Sequence, residues 1–320
     1  MESQKNLSFV MRSLRKVQSV GVYFRDRENL DSKLLLYECI AEFYGTMMIV
    51  LFGVGSVNTA VAVGAHTDLW HIAMIWGFGV GLAIYCTASV SGAHLNPAVS
   101  FAFALVKPSK FKRHKLGWFW AAQMAGGIAG GAINLLIFHP YIERFEKNLK
   151  PEGFSRDSSG GVHSAMVFGE YFPDPGWVRA NIKDGEDWES LDGVISPFKA
   201  CCIEAWGTAI LMFVILALTD DKQKIVKNKE MIPFLIGFTV AVLIALYAPL
   251  TQAGWNPARD FGPRVAAAMA GWGTEAIPGP RNGFWVYIIG PMVGAPLGAL
   301  AYTTTIEPGL KLVDERSRAK

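Results

Sequence analysis

From Met231 to Thr251 the chain runs for 21 residues without a charge. A hydrocarbon slab of about 30 Å needs about 20 apolar residues at 1.5 Å of helix rise each, so this stretch can cross a bilayer. We read six windows of that kind: 34–63, 69–91, 116–138, 196–219, 231–249 and 283–305. Two further segments, 96–106 and 256–270, are apolar but too short to span. Lipid offers no partner to a backbone N–H or C=O, so each span must satisfy its own hydrogen bonds, which a helix does. The expectation is an all-α membrane protein. Hydrophobic residues make up 51% of the chain and charged residues only 18%, which argues against a soluble helical bundle.

The charges that remain are sorted by position. The first 33 residues carry seven Lys/Arg, segment 107–115 carries five and segment 220–230 carries four, whereas 139–196 has 11 Asp/Glu against six Lys/Arg. By the positive-inside tendency, both termini and the two basic loops face the cytoplasm and the acidic loop faces outward, which six spans allow. The net charge of +3 therefore reads as topology and not as a nucleic-acid surface. The basic N-terminal segment has no apolar core before Leu34, unlike a cleaved secretory signal. Cys39, Cys86, Cys201 and Cys202 all fall inside the apolar windows, with no disulfide or metal-ligand spacing, so they read as small apolar fillers.

The chain is written twice. WGFGVGLAIYCTASVSGAHLNPA (76–98) aligns without a gap on IGFTVAVLIALYAPLTQAGWNPA (236–258), and Gly77 and Gly237 each precede an Asn by 19 residues. Further upstream AEFYGT (41–46) matches IEAWGT (203–208), pairing Glu42 with Glu204. The third and sixth windows share small-residue spacing: Gly126/Gly130 and Gly127/Gly131 against Gly290/Gly294/Gly298. Each half thus holds three spans and one short segment, and an odd number of spans forces the halves into opposite orientations. Inverted repeats of this kind place interrupted helices at the bilayer midplane. Asn can cap a helix and Pro suits its first turn, so the segment from Asn96 to Val106 predicts a helix of about 11 residues, roughly 16 Å, half a membrane. The expected architecture is six transmembrane helices plus two re-entrant half-helices in an inverted 3+3 repeat. Its divisions are an N-terminal tail 1–33, a channel domain 34–305 and a C-terminal tail 306–320. Within the domain, repeats near 34–138 and 196–305 are joined by loop 139–195.

These residues resemble the aquaporin (major intrinsic protein) family. The likeness rests on the paired Asn96-Pro97-Ala98 and Asn256-Pro257-Ala258, the SGAHLNPA context and Arg259, and covers about 34–305. NPARDFGPR with Asp260, together with LALTDD (216–221) and GPMVGA (290–295), is similar to the glycerol-conducting aquaglyceroporin branch. The resemblance implies a passive channel for glycerol and other small neutral solutes, such as urea or metalloid acids, together with water. It also implies exclusion of protons and ions, no cofactor or metal, no enzymatic activity, and a homotetramer in the lipid bilayer, in the plasma membrane before an internal one.

The resemblance assigns roles by position. Asn96 and Asn256 form the pore midplane, capping their helices while leaving both amide donors free for a passing oxygen. Trp76, Ile244, Ala253 and Arg259 form the outer selectivity filter. The carbonyls of Gly92, Ala93, His94, Leu95, Gln252, Ala253 and Gly254 form an acceptor ladder. Glu42 and Glu204 brace the re-entrant loops, since a bare carboxylate inside a span costs roughly 2.5–3.5 kcal/mol or more. Arg259 paired only to Asp260 is the competing reading for that residue. Some positions depart from bacterial glycerol facilitators: Ala253 stands where they carry a second aromatic, Ile244 where they carry Gly, and Tyr287-Ile288 where they carry Pro and an aliphatic residue. The Trp, Ile, Ala, Arg combination resembles certain plant channels for glycerol and neutral metalloid acids, and Tyr287 resembles water channels. The alternatives are a water-selective aquaporin and, more distantly, an ion-coupled secondary transporter. Two surface features stay open: an apparent insertion near 176–193 and a short basic motif at Ser19.

Overall fold

A computed structural model of the chain describes residues 2–66, 68–149, 155–181 and 194–319, with side chains from residue 30 onward apart from 179–181. Most of the apparent insertion, 182–193, and the side chain of Ser19 lie outside the described residues. Eight helices of ten residues or more carry the architecture among the described residues: α1 (Glu2–Asn58), α2 (Leu69–Ser91), α3 (Pro97–Val106), α4 (Leu116–Asn148), α5 (Pro197–Thr219), α6 (Ile232–Thr251), α7 (Pro257–Ala267) and α8 (Val286–Arg318). Six are long and apolar enough to cross a membrane; α3 and α7 are not.

The helices outrun the apolar windows. Helix α1 starts at Glu2, so the N-terminal tail is helical and continuous with the first span. Helix α4 continues to Asn148 and α8 to Arg318, and the long loop holds two short helices, Val162–Ala165 and Pro175–Asn181. The reason is physical. Hydropathy reports which solvent a segment meets, whereas Lys, Arg, Glu and Leu keep a backbone helical on either side of that boundary. Ion pairs hold the extension of α8: Lys107 to Glu307 and Lys224 to Asp314.

The packing repeats between the two halves. Helix α1 packs on α4 as α5 packs on α8; α7 lies against α4 as α3 lies against α8; α2 meets its counterpart α6. At that crossing a Cβ on Gly77 would sit 2.6 Å from the Gly237 carbonyl oxygen, so both glycines are needed for the helices to touch. Between helices in lipid there is no hydrophobic drive, and close backbone approach supplies dispersion contact instead.

The two short helices begin alike. Asn96 Oδ1 accepts the Ala98 N–H at 2.9 Å, and Asn256 Oδ1 accepts those of Ala258 and Arg259 at 3.0 and 3.2 Å. Pro97 and Pro257 occupy the first turn, where a missing N–H is harmless.

Candidate functional site

The N-termini of α3 and α7 abut. Asn96 Nδ2 donates to the Trp255 carbonyl at 2.9 Å, and Asn256 Nδ2 donates to the Leu95 carbonyl at 2.7 Å. The expectation of two free amide donors per asparagine is corrected here. One N–H of each side chain ties the opposite loop across the junction, so each Asn keeps one. Sequence spacing shows the caps but not a contact between residues about 160 apart.

The loops entering α3 and α7 run through left-handed backbone at Ala93 (φ 50°), Leu95 (φ 51°), Gln252 (φ 57°), Ala253 (φ 63°) and Trp255 (φ 48°). Each such non-glycine residue costs on the order of 1–3 kcal/mol and persists only where its surroundings hold it. Two buried carboxylates supply the hold. Glu42 accepts from the Ser91 hydroxyl (2.6 Å), the N–H groups of His94 (2.9 Å) and Leu95 (2.7 Å), and Gln123 Nε2 (2.7 Å). Glu204 accepts from the Thr251 hydroxyl (2.6 Å) and the N–H groups of Gly254 (3.1 Å) and Trp255 (2.8 Å). The three loop partners of each acid correspond position by position in the aligned repeat, and Gln123 is an additional donor to Glu42.

Toward the acidic-loop end lies Arg259, 5% exposed. Its Nη2 donates to the Ala253 carbonyl at 2.8 Å, its guanidinium lies 4.0 Å from the Trp76 ring centroid, and its Nη1 pairs with the carboxylate of Glu170. Asp260 is not its partner: that carboxylate holds Arg264 Nε at 3.0 Å and accepts the Glu170 N–H at 2.7 Å. Arg264 in turn donates to the carbonyls of Glu170 and Ala276. The buried Asp260–Arg264 pair thus fixes the strand of loop that carries Glu170 onto Arg259. Sequence reasoning passed over Glu170, one acid among 11 in its loop, because no local pattern sets it apart.

A cavity of 590 Å³ runs from Trp76, Ala253 and Arg259 past Asn96 and Asn256 to the end bearing the basic loops. Its lining combines apolar side chains, Ile49, Val80, Leu211 and Val240 among them, with the loop segments Gly92 to Leu95 and Ala253 to Trp255. Ile244 is buried in the same cluster as Trp76 and Ala253 without lining the cavity; Gln252 also lies outside the lining, and its side-chain Oε1 accepts the Tyr171 N–H at 2.8 Å. Tyr287 is buried behind Gly254, also outside the lining. His94 lies among Phe103, Phe111 and Phe119, with Nδ1 3.1 Å from the Ser100 hydroxyl. Among the described residues no three His, Cys, Asp or Glu side chains cluster to hold a metal ion.

This geometry can be set beside known proteins. The family described as "Major intrinsic protein" matches residues 29–302. The chain belongs to the major intrinsic protein family. Among relatives, the glycerol uptake facilitator protein of Escherichia coli K12 is 40% identical over 271 residues, 84% of this chain and 88% of that protein. The propanediol uptake facilitator of Citrobacter freundii is 38% identical over 275 residues, 85% of this chain and 93% of that one. The aquaglyceroporin structure from Plasmodium falciparum superposes with a TM-score of 0.69 at 24% identity, covering 87% of this chain and 99% of that one, and so shares the fold. Family membership and six membrane-length helices make the chain an integral, multi-pass membrane protein.

Proposed function

We propose that the chain is a passive channel, not an enzyme, conducting glycerol and other small neutral solutes with water while excluding protons and ions. The observation that carries this is a cavity lined both by apolar side chains and by the two loop segments that enter α3 and α7, with Trp76 and Arg259 in contact in its wall. A polyol has the same two kinds of surface, carbons on one edge and hydroxyls on the other. The relatives named for glycerol and propanediol uptake support that solute class.

In this reading α3 and α7 enter from opposite faces and meet at the midplane. Each presents about half a positive elementary charge at its N-terminus. The remaining N–H of Asn96 and of Asn256 donates to a passing oxygen. A water held by both turns its hydrogens outward, which interrupts a proton chain, and the positive field opposes cations. Arg259 donates to solute hydroxyls at the outer end while Trp76 covers the carbons.

Orientation follows the same logic. Lys107 to Glu307, Lys115 to Glu38 and Lys224 to Asp314 gather both basic loops, the start of the first span and the C-terminal tail at one end. That end is the cytoplasmic one, and the Glu170 end faces out. Assembly as a homotetramer in the plasma membrane follows from the family likeness.

Stopped-flow light scattering on proteoliposomes tests the channel. Glycerol permeability should stand well above protein-free vesicles, without a proton current. Fast water flux with glycerol at background would replace this reading with a water-selective channel; accumulation of solute against its gradient would replace it with a coupled transporter.

A further inference from the structure

The inner end of the cavity differs chemically from the rest. Lys110, Lys112, Lys115 and Lys229 line it, with Ser109 and Thr219, against one lining carboxylate, Glu38. Lys115 is held by Glu38 at 2.6–2.7 Å. Lys229 pairs with Asp221 at 3.1 Å, and Lys110 lies 3.9 Å from the same carboxylate. Lys112 makes no ion pair among the described residues. Asp220 adds a third carboxylate within electrostatic reach of Lys110, so four ammonium groups face three carboxylates and the ring keeps a net positive charge. The first turns of α4 and α6 open on the same ring and add the positive ends of their dipoles.

Beside these lysines the lining is largely apolar, with Phe111, Phe103, Val99 and Ile215, and His94 stands among the same rings. A neutral polyol passes both zones. A phosphate monoester carries about −1.5 to −2 charges near neutral pH, opposite in sign to the ring, but cannot shed its hydration to pass the apolar part of the lining.

We infer that the lysine ring at the inner end of the cavity is a binding site for the phosphate monoester of a small polyol, which lodges hydroxyl end inward and plugs the channel. The inference rests on the proposed solute class. The class of reaction that makes such an ester is phosphoryl transfer to a hydroxyl of the solute on the cytoplasmic side, so the plug is the product of the step that consumes the solute. Inflow is then restrained when product accumulates.

The test uses the full chain in phosphatidylcholine proteoliposomes, with sn-glycerol 3-phosphate on both faces to reach either orientation. Glycerol permeability should fall at least twofold by 10 mM ester, while potassium sulfate at matched ionic strength leaves it in place. In Lys112→Glu/Lys229→Glu, inhibition measured against that variant's own flux should need at least tenfold more ester. Unchanged flux at 10 mM, equal loss with sulfate, or equal sensitivity in the variant overturns the inference. Vesicles with one-fifth phosphatidic acid separate the two sources of a phosphate monoester: a loss seen only in those bilayers assigns the ring to a lipid headgroup and overturns the soluble plug. Isothermal titration of sn-glycerol 3-phosphate into the detergent-solubilised chain decides binding apart from flux. A protein that binds the ester but conducts no glycerol leaves the site standing and removes the channel reading; no heat of binding, with glycerol flux intact, does the reverse.

Discussion

Arg259 and Glu170 are 5% and 7% exposed and face each other at the outer end of the cavity. Removing one partner of such a pair leaves the other charge buried and uncompensated, which costs more than losing both. Arg259→Val and Glu170→Gln should therefore couple by about 1–3 kcal/mol in a double-mutant cycle, the double variant being more stable than the sum of the single losses. Thermal unfolding in detergent checks this; additive losses would mean the two side chains do not act as a pair. Glu204 offers a second residue-scale test. Its removal strands the Thr251 hydroxyl and two N–H groups in the interior, each worth about 1–3 kcal/mol unsatisfied. Glu204→Ala should lower stability by about 3 kcal/mol or more, and Glu204→Gln by less, because the amide oxygen still accepts. Wild-type melting of Glu204→Ala would show that the loop before α7 does not depend on this carboxylate.

Helices in this molecule touch where side chains are smallest. A Cβ on Gly77 meets the Gly237 carbonyl at 2.6 Å, whereas Gly309, in the extension of α8, has nothing within 4 Å. Gly77→Val should push α2 from α6 and cost about 1–3 kcal/mol, as overpacking does. Gly309→Ala should leave the melting temperature unchanged or slightly higher, since Ala favours helix over Gly by about 1 kcal/mol. Equal effects at both positions would detach helix contact from glycine. The spacing of these small residues was visible in the sequence because the repeat displays it twice. The extent of α1, α4 and α8 was not, because hydropathy falls at the water boundary while the helix continues.

As a whole, the molecule leaves large apolar side chains such as Leu136 (78% exposed) and Phe198 (76%) on its outer faces, which lipid or further copies of the chain must cover. A homotetramer should have four times the chain mass of 35.0 kDa in detergent once bound detergent is subtracted; a mass equal to one chain would remove the tetramer. Size selectivity is a second whole-molecule property, which the proposed function assigns to the Trp76–Arg259 end of the cavity. Ala253 is fully buried there, its carbonyl held by Arg259. Ala253→Phe should slow glycerol and larger solutes before water, read as a permeability series; equal loss for water and large solutes would place Ala253 away from the constriction.

The sequence alone determined what its periodicities and duplications encode: six spans from charge-free length, two capped short helices from Asn-Pro-Ala, and the pairing of halves from 23 aligned positions. Those are local or self-comparing signals, and they survive without coordinates. Tertiary structure decided which groups meet. It tied one amide N–H of Asn96 and of Asn256 to the opposite loop, gave Asp260 to Arg264 instead of Arg259, and brought Glu170 in from a loop whose composition marks no residue as special. The Asp260–Arg264 pair, four residues apart on α7, is the one of these that spacing could have shown; contacts between residues some 90 to 160 positions apart leave no trace in spacing. They exist because close-packed helices and buried charges admit few arrangements in which every donor and every carboxylate finds a partner.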